Sequence, residues 1–268
     1  MSTEIERLRL LLAYDGRPFR GWQSQVTKDA IQDYLEAAAA RITGTEVTVH
    51  GSGRTDAGVH ALGQVAHMDV PRGKMPVGKW QLALNGNLPP GVKVLSVTRA
   101  ASRFHARFDA RGKIYTYRIW NESFLHPLEI GRAWHVPGTL DLTALRAGAK
   151  ILTGTHDFAA FAANRGKPET DTVRTIFNIR VQVRGPLLTL RYEGTGFLYK
   201  MVRLLTGTLL HCAQGRAKME WIEGLLTSPQ SQKTQFAAPA EGLYLTKVLY
   251  GGTRSAETMR GRLTEASP

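Results

Sequence analysis

From Leu8 to Tyr14 the chain reads LRLLLAY, an apolar run of strand length that predicts a buried strand. Turn chemistry follows in YDGRPFRGWQSQ. From Ala30 the period changes, and Ile31, Leu35, Ala38 and Ile42 recur at helical spacing. EVTVHGS and ALGQVAHMDV predict a strand pair, and VKVLSVTRA a further strand. Between them GKWQLALNGNLPP reads as a short helix stopped by Pro89 and Pro90. Later residues repeat the mixture. LDLTALRAGAKIL predicts a helix. Ile179, Val181 and Val183 alternate with Arg180 and Gln182 in a strand, Gly185 and Pro186 make a turn, and PLLTLRYEG is the next strand. FLYKMVRLLTGTLLHCA predicts a long helix, MEWIEGLLTS a shorter one, and GLYLTKVLY a closing strand.

This order of elements gives an α+β fold class. The expected organisation is an N-terminal α+β domain over residues 1–105, a C-terminal α+β domain over 106–250, and a polar, frayed tail over 251–268. The join falls near Ala100 to Arg111. No repeat shows at the level of identity, although the halves order their elements similarly.

Composition adds a partner class. The chain carries 35 Lys plus Arg against 22 Asp plus Glu, a net charge of +13, which favours a polyanion. Arginine is the commoner cation, and its planar fork suits phosphates and bases. No apolar run reaches the roughly 18 residues of a membrane helix, and the N-terminus lacks an apolar signal core. Cys212 is the single cysteine, which removes internal disulfides and cysteine-based zinc clusters. A cytoplasmic setting is expected.

Three stretches could carry chemistry. In GSGRTDAGVHA, Asp56 is either an Asx-turn residue, with Gly58 supplying positive φ, or an accessible reagent framed by small residues. His50, His60, His67, Asp56 and Asp69 could supply metal ligands, but no HxxxH or HxH spacing puts two His on one face of a helix or tight strand, so no metal is expected. In SRFHARFDARGKIYTYRIW, an extended chain would put Arg103, His105, Arg107, Asp109, Arg111, Lys113, Tyr115 and Tyr117 on one side. That face is either a solvated basic surface or a platform that holds phosphates and stacks a base, with Arg107 a candidate substrate contact. In the helix after YEGTG, the core stripe is Phe197, Met201, Leu204, Leu205 and Thr208. Tyr199, Lys200, Arg203 and Gly207 lie off it. Arg203 is either solvated or turned toward a carboxylate elsewhere.

At these residues the chain resembles the tRNA pseudouridine synthase A family. YDGRPFRGWQSQ is similar to its first loop, and GSGRTDAGVHALGQVAH to its catalytic motif, with the core GRTDAGVH intact. FHARFDARGKIYTYRI resembles its tyrosine block, GTGFLYKMVRLLTGTL its basic helix block, and APAEGLYLTKVLY its tail. The blocks run from about Leu8 to Tyr250. The resemblance implies a continuous, mainly antiparallel sheet built from two similar halves, flanked by helices, with the active-site cleft between the halves. It implies Asp56 as the catalytic carboxylate and Tyr115 as the residue stacking on uracil. It also implies that Arg54 helps turn the target nucleotide out and that Arg203 pairs with Asp56. The implied reaction is uridine to pseudouridine in the anticodon stem-loop of tRNA, at positions 38, 39 and 40. The implied assembly is a homodimer with a basic groove for tRNA; neither DNA nor membrane is expected as a partner. The isomerisation consumes nothing, so no cofactor is expected.

Two other readings use the same residues. A non-catalytic RNA-binding protein on this scaffold would share the charge and the tyrosine strand but has no need of an intact Arg54-Thr55-Asp56. A metal-dependent nuclease built on the His and Asp residues predicts chain cleavage and sensitivity to a chelator.

Overall fold

A computed structural model describes residues 4–164, 166 and 170–251. The apolar run at the start forms strand β1 (Ile5–Tyr14), in which Leu8, Leu10 and Leu12 are fully buried and the alternate residues less so. The helical spacing from Ile31 forms α1 (Ile31–Thr43), closed at Gly44 in the left-handed conformation with φ 79°. Next come β2 (Val49–Gly51), β3 (His60–Pro71), α2 (Val77–Asn87) and β4 (Val92–Ala100). The tyrosine block supplies β5 (Ala110–Trp120), followed by a two-residue β6 (Trp134–His135). Helix α3 (Leu142–Ile151) is capped by the Asp141 carboxylate, which accepts from the amides of Thr143 and Ala144. The remaining elements are β7 (Gly154–Asp157), β8 (Val173–Arg184), β9 (Leu187–Gly194), α4 (Met201–Ala213), α5 (Met219–Thr227) and β10 (Leu243–Tyr250).

The strands form one 10-stranded sheet in the order β4-β1-β3-β10-β5-β9-β8-β7, with β2 also paired to β3 and β6 to β5. The pairings are antiparallel except β3 with β10 and β5 with β6. The β3–β10 junction is short, matching Tyr244 with His60 and Leu245 with Ala61. On its other edge β10 pairs along β5 from Leu243↔Tyr117 to Tyr250↔Ala110. Helices α1 and α2 pack together beside β2 and β4, and α3 packs on β8 and on α4 and α5. The fold is thus the expected α+β class, a mostly antiparallel sheet flanked by helices.

Several local expectations change. The stretch from Arg103 to Asp109 is not extended. The amide of Phe104 donates to the Ala101 carbonyl at 2.8 Å and that of Asp109 to the His105 carbonyl at 3.1 Å, so the chain turns. The alternation ends with it: Arg103 is exposed, and Tyr117 is fully buried with its hydroxyl donating to the Pro239 carbonyl at 2.7 Å. Helix α4 starts at Met201 rather than Phe197, because Lys200 stands at φ 57°. Gly207, placed off the core stripe by spacing, is buried: a Cβ there would collide with the backbone carbonyl of Phe236. Strand β8 begins before Ile179, and β6 and β7 are too short to leave a pattern. The polar-tail expectation from 252 onward lies outside the described residues.

Candidate active site

The loop from Ser52 to Val59 connects β2 to β3 and is held from three sides. The Tyr14 hydroxyl, at the end of β1, hydrogen-bonds the Thr55 hydroxyl at 2.8 Å. Burial pushes the Tyr14 phenol up to about 12, so it stays protonated. The amide of Trp22 donates to the Thr55 carbonyl at 3.0 Å. A Cβ on Gly21 would lie 2.6 Å from that same carbonyl, so the first loop can approach only through a glycine. From the third side, Gln64 on β3 donates its amide nitrogen to the Gly53 carbonyl at 2.9 Å, and its oxygen accepts from the Ser52 hydroxyl at 2.6 Å. Gly58 turns the chain at φ 80°, and the Val59 amide donates to the Asp56 carbonyl at 3.1 Å.

With the backbone held this way, the Asp56 side chain is left free of its own turn. It pairs with Arg203 of α4, whose Nη1 stands 3.3 Å from Oδ2. The pair is largely covered, with side-chain exposures of 15% for Arg203 and 21% for Asp56, so some of the carboxylate still faces the cleft. Arg203 is aimed by a second bond: its Nε donates to the Ala238 carbonyl at 2.7 Å. The Ala238 amide returns a bond to the Arg203 carbonyl at 3.0 Å. The half-buried carboxylate therefore has a fixed counter-charge.

The Asp56 carboxylate opens on a cleft of about 550 Å³. Tyr115 of β5 lines it, nearly buried, its ring set edge-on against Phe197 at 5.3 Å between centroids. Burial raises its phenol well above the ordinary range, with the charge of Asp56 adding to the effect. Arg54 and Arg107 also line the cleft and are exposed; the Arg54 Nε donates to the Gln23 side chain at 3.0 Å. Arg203 reaches Asp56 from outside the cleft lining. All five sequence-derived residues thus converge on one place, and Arg103 does not join them. Sequence reasoning missed Tyr14, Trp22 and Gln64, the supports of the loop. It also gave no individual role to Lys113, which lines the same cleft.

Three of the residues weighed as metal ligands have partners elsewhere. Asp69 takes a two-pronged bond from Arg7 at 2.7 and 2.6 Å. His60 accepts from the Gly16 amide at 3.2 Å and stacks on Tyr244. His67 accepts from the Ala106 amide at 3.1 Å. Among the described residues no group of three or more His, Cys, Asp or Glu side chains is placed to hold a metal ion.

Comparison with known proteins matches residues 11–109 and 149–251 to the family model described as tRNA pseudouridine synthase. A tRNA pseudouridine synthase A of Akkermansia muciniphila is 44% identical over 253 residues, covering 92% of this chain and 96% of the relative. That of Maridesulfovibrio salexigens is 44% identical over 255 residues, covering 93% and 92%. That of Geobacillus kaustophilus is 41% identical over 250 residues, covering 91% and 95%.

Proposed function

This chain belongs to the tRNA pseudouridine synthase family, and from that premise we propose that it converts uridine to pseudouridine in the anticodon stem-loop of tRNA, with Asp56 as its catalytic carboxylate. The observation that carries the assignment to Asp56 is its pairing with Arg203 at the edge of a cleft lined by Tyr115. The reaction breaks the bond between N1 of uracil and C1′ of ribose, turns the base, and joins C5 to C1′. The C5 proton is released and N1 gains one, so the product is an isomer. Bond breaking leaves electron demand at C1′, and an ionised carboxylate meets that demand by bonding or by charge. Arg203 compensates the charge of Asp56 when the bound nucleotide covers the site. The Tyr115 ring gives the detached base a face on which to turn.

Getting the nucleotide into the cleft requires extruding it from the stem-loop, at a cost of roughly a few kcal/mol. Arg54 and Arg107 line the cleft and are exposed; in this reading Arg54, next but one to Asp56, fills the vacated place and Arg107 contacts the incoming strand. A homodimer and a cytoplasmic setting belong to the same reading, and sedimentation of the purified protein tests the first.

The chemical test uses tRNA carrying labelled uridine. The wild-type protein is expected to yield pseudouridine in the anticodon stem-loop with nothing added. Asp56→Asn is expected to bind tRNA nearly as well and to form no product. Turnover in that variant within tenfold of wild type would remove Asp56 from the reaction.

A further inference from the structure

Among the described residues the cleft lining holds one carboxylate, Asp56, which is already paired with Arg203. Against it stand four cations in the lining: Arg54, Arg107, Lys113 and Lys200. Arg54 and Arg107 are exposed and share their charge with solvent; Lys113 is half-buried, and among the described residues no carboxylate lies within ion-pair distance of it. Its place is set by β5, where it lies two residues before Tyr115 on the same face. The amine reaches across to the loop that carries Asp56 and stops over Gly53, where a Cβ would collide with Nζ. Gly53 is itself pinned through its carbonyl by Gln64. A side chain at position 53 would occupy the space into which the amine extends.

A half-buried cation with no counter-ion is costly, and the cost is relieved when an anion enters. Resting on the function proposed above, we propose that Lys113 binds the phosphodiester of the nucleotide seated on Tyr115, and that Gly53 is bare so that the amine can reach it. Residues two apart on a strand are about 6.6 Å apart, a spacing that suits one residue under the base and the other at its phosphate. Burial, and the charge of Arg107 nearby, lower the Lys113 amine to about 8. It therefore carries its charge at neutral pH and loses it as pH rises through 8, while a bound phosphate holds the charge on.

The test needs an anticodon stem-loop with one uncharged methylphosphonate on the target nucleotide, and its unmodified counterpart. Affinity of the wild-type protein and of Lys113→Gln for both is measured across salt. On unmodified RNA, Lys113→Gln is expected to flatten the slope of log affinity against log salt by about 0.7, so that a tenfold rise in salt costs about fivefold less affinity than in wild type. Methylphosphonate should flatten the wild-type slope equally and have no further effect on Lys113→Gln. Gly53→Ser, which keeps the lysine but fills its space, should reproduce the loss. Lys113→Arg should hold its affinity above pH 8, where wild type weakens. Full additivity of the lysine and methylphosphonate effects would overturn the proposal. So would lost turnover in Lys113→Gln with an unchanged salt slope, since the amine would then serve the base. Pseudouridine formation by the wild-type protein is scored in parallel, so failure of the enzymatic reading is told apart from failure of this one.

Discussion

Tyr115 offers the cleft a ring and a hydroxyl, and the two can be separated. The ring edge rests on Phe197, and among the described residues the hydroxyl has no hydrogen-bond partner. Tyr115→Phe keeps the stacking face and is expected to bind the stem-loop as wild type does while losing turnover. Acid–base help of this kind is worth roughly 10²–10⁴-fold. Tyr115→Ala is expected to lose affinity as well, by about 1–3 kcal/mol. Binding by fluorescence and single-turnover rates on the same stem-loop distinguish these outcomes; full turnover in Phe would reduce Tyr115 to a platform. At this scale much of the site was legible. Asp56, Arg54, Tyr115 and Arg203 carry their chemistry in the side chain and stand in a motif. Gln64 and Tyr14 were not legible, because each acts through a hydrogen bond to a loop 41 or fewer residues away in sequence, a pairing only the folded chain reveals.

At the scale of elements, periodicity served where one face is buried and failed where side chains cap turns. The leucines of β1 and the apolar spacing of α1 read correctly because burial follows the backbone period. The Arg103 to Asp109 stretch alternates too, yet it turns: the ring of His105 accepts from the amides of Arg107 and Phe108, and the Asp109 carboxylate accepts from the amide of His105. Side-chain acceptors here replace the partners a strand would supply. Helix α4 shows a related limit, since it is buried almost all round and its stripe hid Gly207. That glycine lets the chain at Phe236 lie against the helix, and Ala238, two residues on, grips Arg203. Gly207→Ala is therefore expected to destabilise the fold by about 1–3 kcal/mol and to lower turnover by moving Arg203. Gly224→Ala in α5, where a Cβ meets nothing within 4 Å, is the control and should melt at or above the wild-type temperature. Equal melting temperatures in the two variants would refute the packing argument.

At the scale of the molecule, a cluster of imidazoles ties stability to pH. The rings of His50, His67 and His105 lie 4.7–5.7 Å apart, centroid to centroid, between β2, β3 and the turn before β5. Burial lowers His67 to about 4, with Arg7, His105 and His50 adding to the shift and Asp69 opposing it. The neutral ring is also the acceptor for the Ala106 amide. In the unfolded chain His67 takes its proton near 6.5. Its contribution is thus complete above about pH 6.5 and is lost as pH falls toward 4. Melting temperature is expected to fall over that window, and His67→Asn to flatten the fall; a parallel decline in wild type and variant would count against it. The sheet order has a further consequence. β10, the last of the described strands, lies between β3 and β5 near the middle of the sheet. On the ribosome, β3 and β5 therefore emerge with facing edges that nothing yet joins. Asp56 and Tyr115 gain their common frame only when residues 243–250 slot in, so the candidate site can assemble only after the last described strand has been synthesised.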